Sequence, residues 1–126
     1  MLKGLVIKPY WADLILDGTK TWEIRGSATK HRGPIYIIKS GTGQIYGAAD
    51  LVDCVPLHGP DDHELLLNSR DKHHVPLGAV AYRKPWAWVI ENAQRFKEPF
   101  EYDHPQGAVI WVNIPFSTIN SPSDWI

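Results

Sequence analysis

The apolar residues of this sequence fall into short runs, and Gly, Pro or polar residues bound most of the runs. Alternation with a period of two is typical of a strand with one packed side and one polar side. TWEIR shows this alternation, and about six short runs in all predict strands: LKGLVIKP, TWEIR, PIYIIK, QIYGAADLVDC, WAWVI and GAVIWVNI. A Gly-rich turn at residues 40–43 joins the third and fourth segments. Because few connections suit parallel crossovers, the sequence predicts a small, mostly β barrel.

Two other segments predict short helices. The first is PYWADLILDG, in which Pro9 suits a first helical turn and Gly18 can close the C-terminus. Its packed face is expected to carry Trp11, Leu14 and Ile15. The second lies within residues 59–78, where an acidic pair can cap a run of three leucines. The expected fold class is α+β, mostly β, with about six strands and two or three short helices.

Length and composition limit the organisation and the partners of the chain. With 126 residues we expect a single domain over 1–126, with its core at about 3–115 and a tail at 116–126. A formal net charge of −1 supplies no global positive field, so nucleic-acid binding would need a local basic face. Cys54 is the only cysteine, which excludes an internal disulfide and a thiolate zinc cage. No apolar run reaches about 18 residues and no signal-peptide pattern is present, so we expect a cytoplasmic protein without a membrane partner.

The segment GTKTWEIRG concentrates charged and large apolar residues in alternation. A period of two places Thr21, Glu23 and Arg25 on one face of a strand, and Lys20 at the corner where the helix gives way to the strand. The two residues between them, Trp22 and Ile24, are expected to be buried. We expect Glu23 and Arg25 to line an accessible concave surface.

This polar face has two interpretations. Lysine and arginine can hold a phosphate, and a glutamate beside them can accept hydrogen bonds from a base edge or a ribose hydroxyl, or keep the cations in position. The alternative is an exposed ion pair between Glu23 and Arg25 or Lys20, which contributes about 0–1 kcal/mol and has no function. The first interpretation predicts a nucleotide-binding face.

Five segments in this order resemble the ASCH family, the activating-signal-cointegrator homology domain related to the PUA fold: KPYWADLILDGTKTWEIRG, HRGPIYI, GAADLVDC, WAWVIENA and PQGAVIWVNI. The resemblance runs from Val6 to Ile114, and its most specific part is the G-x-K-x-x-E-x-R motif, here Gly18, Lys20, Glu23 and Arg25. It implies a PUA-like β-barrel with a cleft beside the first helix, lined by the motif, and an RNA or nucleotide-like ligand.

The resemblance also implies an enzyme as an alternative. Some ASCH proteins are amidohydrolases that remove an acyl group from a modified cytidine with a lysine and a threonine of this motif. Lys20 matches the lysine, whereas Glu23 fills the threonine position and Thr21 lies two residues earlier. Others are reported to cleave RNA, for which Glu23 would be the base, Lys20 would stabilise the developing charge and His31 would be the acid.

Several residues outside the motif are candidates for the rim of the site. Tyr10 can stack on a base at the mouth of the cleft, and Lys30, His31, Arg32 and Lys39 can contact phosphates.

Four histidines between residues 58 and 74 lie near acidic residues but lack the spacing of a zinc motif, so we expect neither a metal nor a cofactor. A third possibility is a protein-interaction module that uses the acidic helical segment. The identity of the base, the choice between RNA and DNA, and the oligomeric state stay open.

Overall fold

A computed structural model describes residues 2–118, apart from the side chain of Leu77. Residues 119–126, which make up most of the predicted tail, lie outside the described residues, and the single domain over 1–126 stays a prediction. The elements are β1 (Leu2–Ile7), α1 (Pro9–Leu16), β2 (Trp22–Arg25), β3 (Gly33–Lys39), β4 (Gln44–Pro56), α2 (Asp62–Asn68), α3 (Arg70–His73), β5 (Trp86–Glu101) and β6 (Trp111–Ile114). Two 3₁₀ turns cover Leu77–Ala79 and Phe116–Thr118.

The strands form one sheet in the order β2-β5-β4-β3-β1-β6. The predicted α+β, mostly β class is confirmed, with six strands and three short α-helices within residues 2–118. The sheet is open rather than closed, because β2 and β6 stand at opposite ends of the order. It also contains one parallel pairing among the described residues, between β1 and β3, where few parallel crossovers were expected. The connection between these two strands carries α1 and β2.

The two longest strands, β4 and β5, are antiparallel and bend around the core. Their register shifts at three places between Ile45 and Asp53, and such bulges increase the local twist of a strand. Gly47 lies at the first shift, where an added Cβ would come 2.3 Å from the backbone oxygen of Gln94 and 2.4 Å from Leu16 Cδ2. The bend therefore requires a residue without a side chain at position 47.

The core is aliphatic and aromatic, and it packs on both faces of the sheet. Helix α1 buries Ala12, Ile15 and Leu16, which have the i, i+3, i+4 spacing of one helical face. This face is rotated from the expected one, since Trp11 is only partly buried and turns toward the cleft described below. Trp22 and Ile24 are buried with exposed fractions of 8% and 7%, as the alternation predicts.

The predicted second helix is divided into α2 and α3 by Ser69, which is buried. Of the three leucines in α2 only Leu66 is buried, and it packs with Trp22 and Ile24. No helix within residues 2–118 is long and apolar enough to cross a membrane. The α2–α3 unit covers β2 and so forms part of the surroundings of the motif.

Candidate functional site

A cleft of about 430 Å³ opens where β1, α1, β2 and three loops meet. This volume lies in the range of sites for small ligands. Much of its wall is apolar, and its polar side chains come from separate parts of the sequence. The apolar wall includes Val6, Trp11, Ile24, Val75, Val80 and Val109. The polar side chains are Lys8, Glu23, Arg25, Ser40, Tyr82 and His104.

Lys20 lies beneath this cleft and is not one of its lining residues. Its side chain is fully buried, and its Nζ donates hydrogen bonds to the backbone oxygens of Trp22 (2.7 Å) and His73 (2.5 Å). The same nitrogen lies 3.6 Å from Glu23 Oε1 and 4.9 Å from the centre of the Trp11 ring. Burial lowers the pKa of Lys20 to about 8, although Glu23 opposes this shift.

Glu23 and Arg25 form a tight pair in the wall of the cleft. Glu23 Oε2 accepts hydrogen bonds from Arg25 Nη2 (2.8 Å) and Nε (3.1 Å), and Arg25 Nη2 also donates to the backbone oxygen of Val6 (2.9 Å). The guanidinium lies 5.6 Å from the Trp88 ring centre. Both side chains line the cleft, as expected, but they are more buried than an open concave face would make them, with 8% and 14% exposed.

The three charges therefore form a row in which one carboxylate lies between two cations. Lys20 supports Glu23 from below, and Arg25 holds its other oxygen from the side. Arg25 Nη1 makes no hydrogen bond to any of residues 2–118, so its N–H groups remain available as donors. Such a row can present one acceptor and one set of donors to a ligand in a fixed geometry.

The ASCH domain family model matches residues 5–100. The chain belongs to the ASCH domain family. The family is generally linked to RNA binding. No curated protein matches the chain.

Solved ASCH structures show the same fold. The ASCH protein of Zymomonas mobilis is 16% identical, with a TM-score of 0.70, and the alignment covers 92% of this chain and 89% of that one. Two single-substitution variants of the Zymomonas mobilis protein, also 16% identical and aligned over 92% of this chain, give a TM-score of 0.69 and are covered to 89% and 91%. At this identity the likeness establishes the fold alone.

The other predicted site residues of this ASCH domain do not line the cleft. The backbone of Thr21 pairs with its neighbours, since its N–H donates to Lys72 O (2.9 Å) and its oxygen accepts from Ile90 N (2.8 Å). Tyr10 is 68% exposed and packs its ring edge-on against Trp11. Binding roles for Thr21 and Tyr10 stay predictions.

The predicted basic rim of the ASCH domain is likewise held in local contacts. His31 Nε2 lies 3.3 Å from the backbone oxygen of Pro34, and Arg32 Nη1 donates to two backbone oxygens of its own loop. Lys39 forms an ion pair with Asp13 (2.7 Å), whereas Lys30 is exposed. Contacts of Lys30, His31, Arg32 and Lys39 with a ligand stay predictions.

Several polar residues of the cleft were not predicted from the sequence. Lys8 is the first residue of the KPYWADLILDGTKTWEIRG segment that carries the family resemblance, so its position could have been noticed. Tyr82 and His104 come from loops far along the chain, and no local pattern indicates them. His104 is oriented by Tyr102 Oη, 2.6 Å from its Nδ1, and by the backbone oxygen of Ala108, 2.8 Å from its Nε2.

His73 fixes the segment that leads from α3 into the cleft wall. Its ring is fully buried, with Nε2 2.7 Å from the backbone oxygen of Leu66 and Nδ1 accepting from Val75 N (2.9 Å). A carbonyl only accepts and an N–H only donates, so the ring is the neutral tautomer with its proton on Nε2. Burial is the main cause of its lowered pKa. Among the described residues no group of three or more acidic, His or Cys side chains could hold a metal ion.

We expect Lys20→Met to destabilise the ASCH domain. Methionine fills the space but leaves the backbone oxygens of Trp22 and His73 without their donor and removes a cation from Glu23, which should cost about 1–3 kcal/mol of unfolding free energy. Urea unfolding followed by tryptophan fluorescence measures the loss. The control is Lys97→Met at an exposed position of β5. Equal unfolding free energies for the two variants would contradict a structural role of the ammonium.

We expect the unfolding free energy to fall as pH falls through the range of histidine. Because the folded pKa of His73 is lowered, the unfolded chain takes up this proton first, so the stabilisation present above about pH 6.5 is lost on acidification. His73→Gln removes the proton site and should flatten the pH slope between 5 and 7 by up to about 1.4 kcal/mol per unit. Urea unfolding at several pH values measures both slopes. Equal pH slopes of the unfolding free energy in the parent chain and in His73→Gln would contradict the assignment of this pH dependence to His73.

Proposed function

We propose that this ASCH domain binds RNA or a nucleotide-like ligand in the cleft and acts in RNA metabolism. The observation that carries the proposal is the Glu23–Arg25 pair in the wall of a largely apolar cleft of about 430 Å³. The family membership adds a general link to RNA. A cytoplasmic setting is part of the proposal, and it fits a chain whose only cysteine, Cys54, is free.

The charged groups at and beneath the cleft have separate roles in this proposal. Arg25 Nη1 donates to a phosphate or to an acceptor on a base edge, and Glu23 accepts from a base or a ribose hydroxyl. Lys8, which is exposed at the cleft, attracts the phosphate backbone. Lys20 acts through Glu23, because its own donors are directed to Trp22, His73 and Glu23.

The predicted contacts outside the cleft belong to a longer ligand. An RNA strand that extends beyond one nucleotide would run over the surface around the cleft, where stacking and phosphate contacts are tolerant of sequence. We assign this flanking role to Tyr10, Thr21, Lys30, His31, Arg32 and Lys39. With a net charge of −1, such binding depends on these few cations rather than on the field of the whole protein.

We expect Arg25→Ala to weaken RNA binding and to lower its salt dependence. Loss of one phosphate contact should reduce the slope of log affinity against log salt by roughly one charge. Fluorescence polarisation with a short labelled single-stranded RNA, measured at several salt concentrations, gives the slope. The matched control is Arg70→Ala in α3, an exposed arginine that does not line the cleft. An unchanged slope in Arg25→Ala would remove this residue from the contact set.

A hydrolase is the second candidate, and one observation favours it. Lys20 has a pKa lowered to about 8 and lies 3.6 Å from Glu23 at the base of the cleft, and perturbed groups of this kind are common in active sites. The position of the family's threonine is Glu23, and a carboxylate can act as a general base on water.

Incubation with RNA and with acylated cytidine separates the two candidates. A binding domain gives no product from either substrate, because the Lys20 amine is enclosed by protein groups and does not line the cleft. Chromatography of the reaction mixture measures this. Product that forms with the parent chain and disappears in Lys20→Arg would put the hydrolase first.

A further inference from the structure

Tyr82 is an exposed aromatic residue inside the cleft. Its side chain lies in the cleft wall although the residue is 45% exposed. The ring rests against Gly26, since an added Cβ at that glycine would come 2.6 Å from Tyr82 Cδ1 and 3.1 Å from Cε1. One side of the ring is therefore supported by the backbone that follows β2, and much of its remaining surface is open.

This support places the ring at the end of the strand that carries Glu23 and Arg25. Gly26 directly follows Arg25 in the chain, so the ring and the guanidinium border the same end of β2. The start of the loop that leads to Tyr82 is anchored, because His73 Nδ1 accepts from Val75 N and His74 Nε2 lies 3.0 Å from Thr19 O. The ring is thus held in position before any ligand arrives, which lowers the entropy lost on binding.

The cleft also offers apolar surface outside the Tyr82 ring. Val109 is 72% exposed and lines the same cleft, together with Val6 and Ala108. A phosphate makes no use of such surfaces, because it is charged and strongly hydrated. A flat ring does, because both of its faces lose contact with water when it enters between apolar walls.

We propose that Tyr82 stacks on an unpaired base and that the ligand is therefore single-stranded RNA with at least one base turned into the cleft. This inference rests on the proposed function and makes it narrower. Bases within a duplex have both faces covered by their neighbours, whereas bases in single strands stack on aromatic side chains without regard to sequence. Arg25 and Glu23 then meet the edge or the backbone of the stacked nucleotide.

Three variants test the stacking. Tyr82→Phe keeps the ring, Tyr82→Leu removes it, and Gly26→Ala displaces it through the added Cβ. With a short labelled single-stranded RNA of mixed sequence, Tyr82→Phe should bind like the parent chain. Tyr82→Leu should bind roughly 5- to 150-fold more weakly, which is the loss of one stacked base. Gly26→Ala should also weaken binding.

The salt slope and the form of the probe separate this role from the ionic one. Because the ring carries no charge, Tyr82→Leu should keep the salt slope of the parent chain. The same RNA annealed to its complement should bind the parent chain more weakly than the single strand. Thermal unfolding of each variant identifies a loss of fold, and Tyr82→Phe serves as the matched folded control.

Failure of the inference can be told from failure of the proposed function. A parent chain that binds neither RNA nor a free nucleotide overturns both, whereas one that binds a free nucleotide but no RNA overturns the inference alone. RNA binding by the parent chain with equal affinity in a folded Tyr82→Leu variant overturns the stacking alone. Equal losses in Tyr82→Phe and Tyr82→Leu would assign the effect to the hydroxyl group, and equal affinity for duplex and single strand would exclude an unpaired base; either result overturns the inference.

Discussion

The buried ammonium of Lys20 is the interaction on which the site depends. Its Nζ donates hydrogen bonds to two backbone oxygens and forms an ion pair with the carboxylate of Glu23 at 3.6 Å. One oxygen belongs to β2 and the other to the end of α3, so a single side chain joins the motif to a segment 53 residues away. An unpaired charge at this depth would be strongly unfavourable, and its neighbours are arranged to prevent that.

The two cations of the motif, Lys20 and Arg25, have different roles in this arrangement. The compact, three-donor head of lysine suits a closed pocket of carbonyl groups, whereas the planar fork of arginine suits a carboxylate beside an open cleft. Lys20 therefore sets the position of Glu23, and of these two cations Arg25 is the one that lines the cleft and keeps donors available there. The electrostatic character of the cleft follows from this division.

The sequence predicted the parts of the site that depend on local periodicity. Alternation in β2 gave the burial of Trp22 and Ile24 and the shared face of Glu23 and Arg25, and the resemblance to ASCH proteins gave the family. The burial of Lys20 could not be predicted in this way, because it depends on a hydrogen bond to the backbone oxygen of His73, which is 53 residues away in the chain. Tyr82 and His104 reach the cleft through long loops, and only tertiary packing brings them to β2.

The strand order places the cleft between the two ends of the open sheet. β2 stands at one end of the sheet and β1 is next to the other end, yet Arg25 Nη2 on β2 reaches the backbone oxygen of Val6 on β1. The sheet therefore curls until β2 approaches β1. In a closed barrel, backbone hydrogen bonds would join the two ends of the sheet, whereas here the side chain of Arg25 connects β2 to β1. A ligand in the cleft would contact both β1 and β2. A bound ligand would therefore stabilise the curled form of the whole sheet by holding its two ends together.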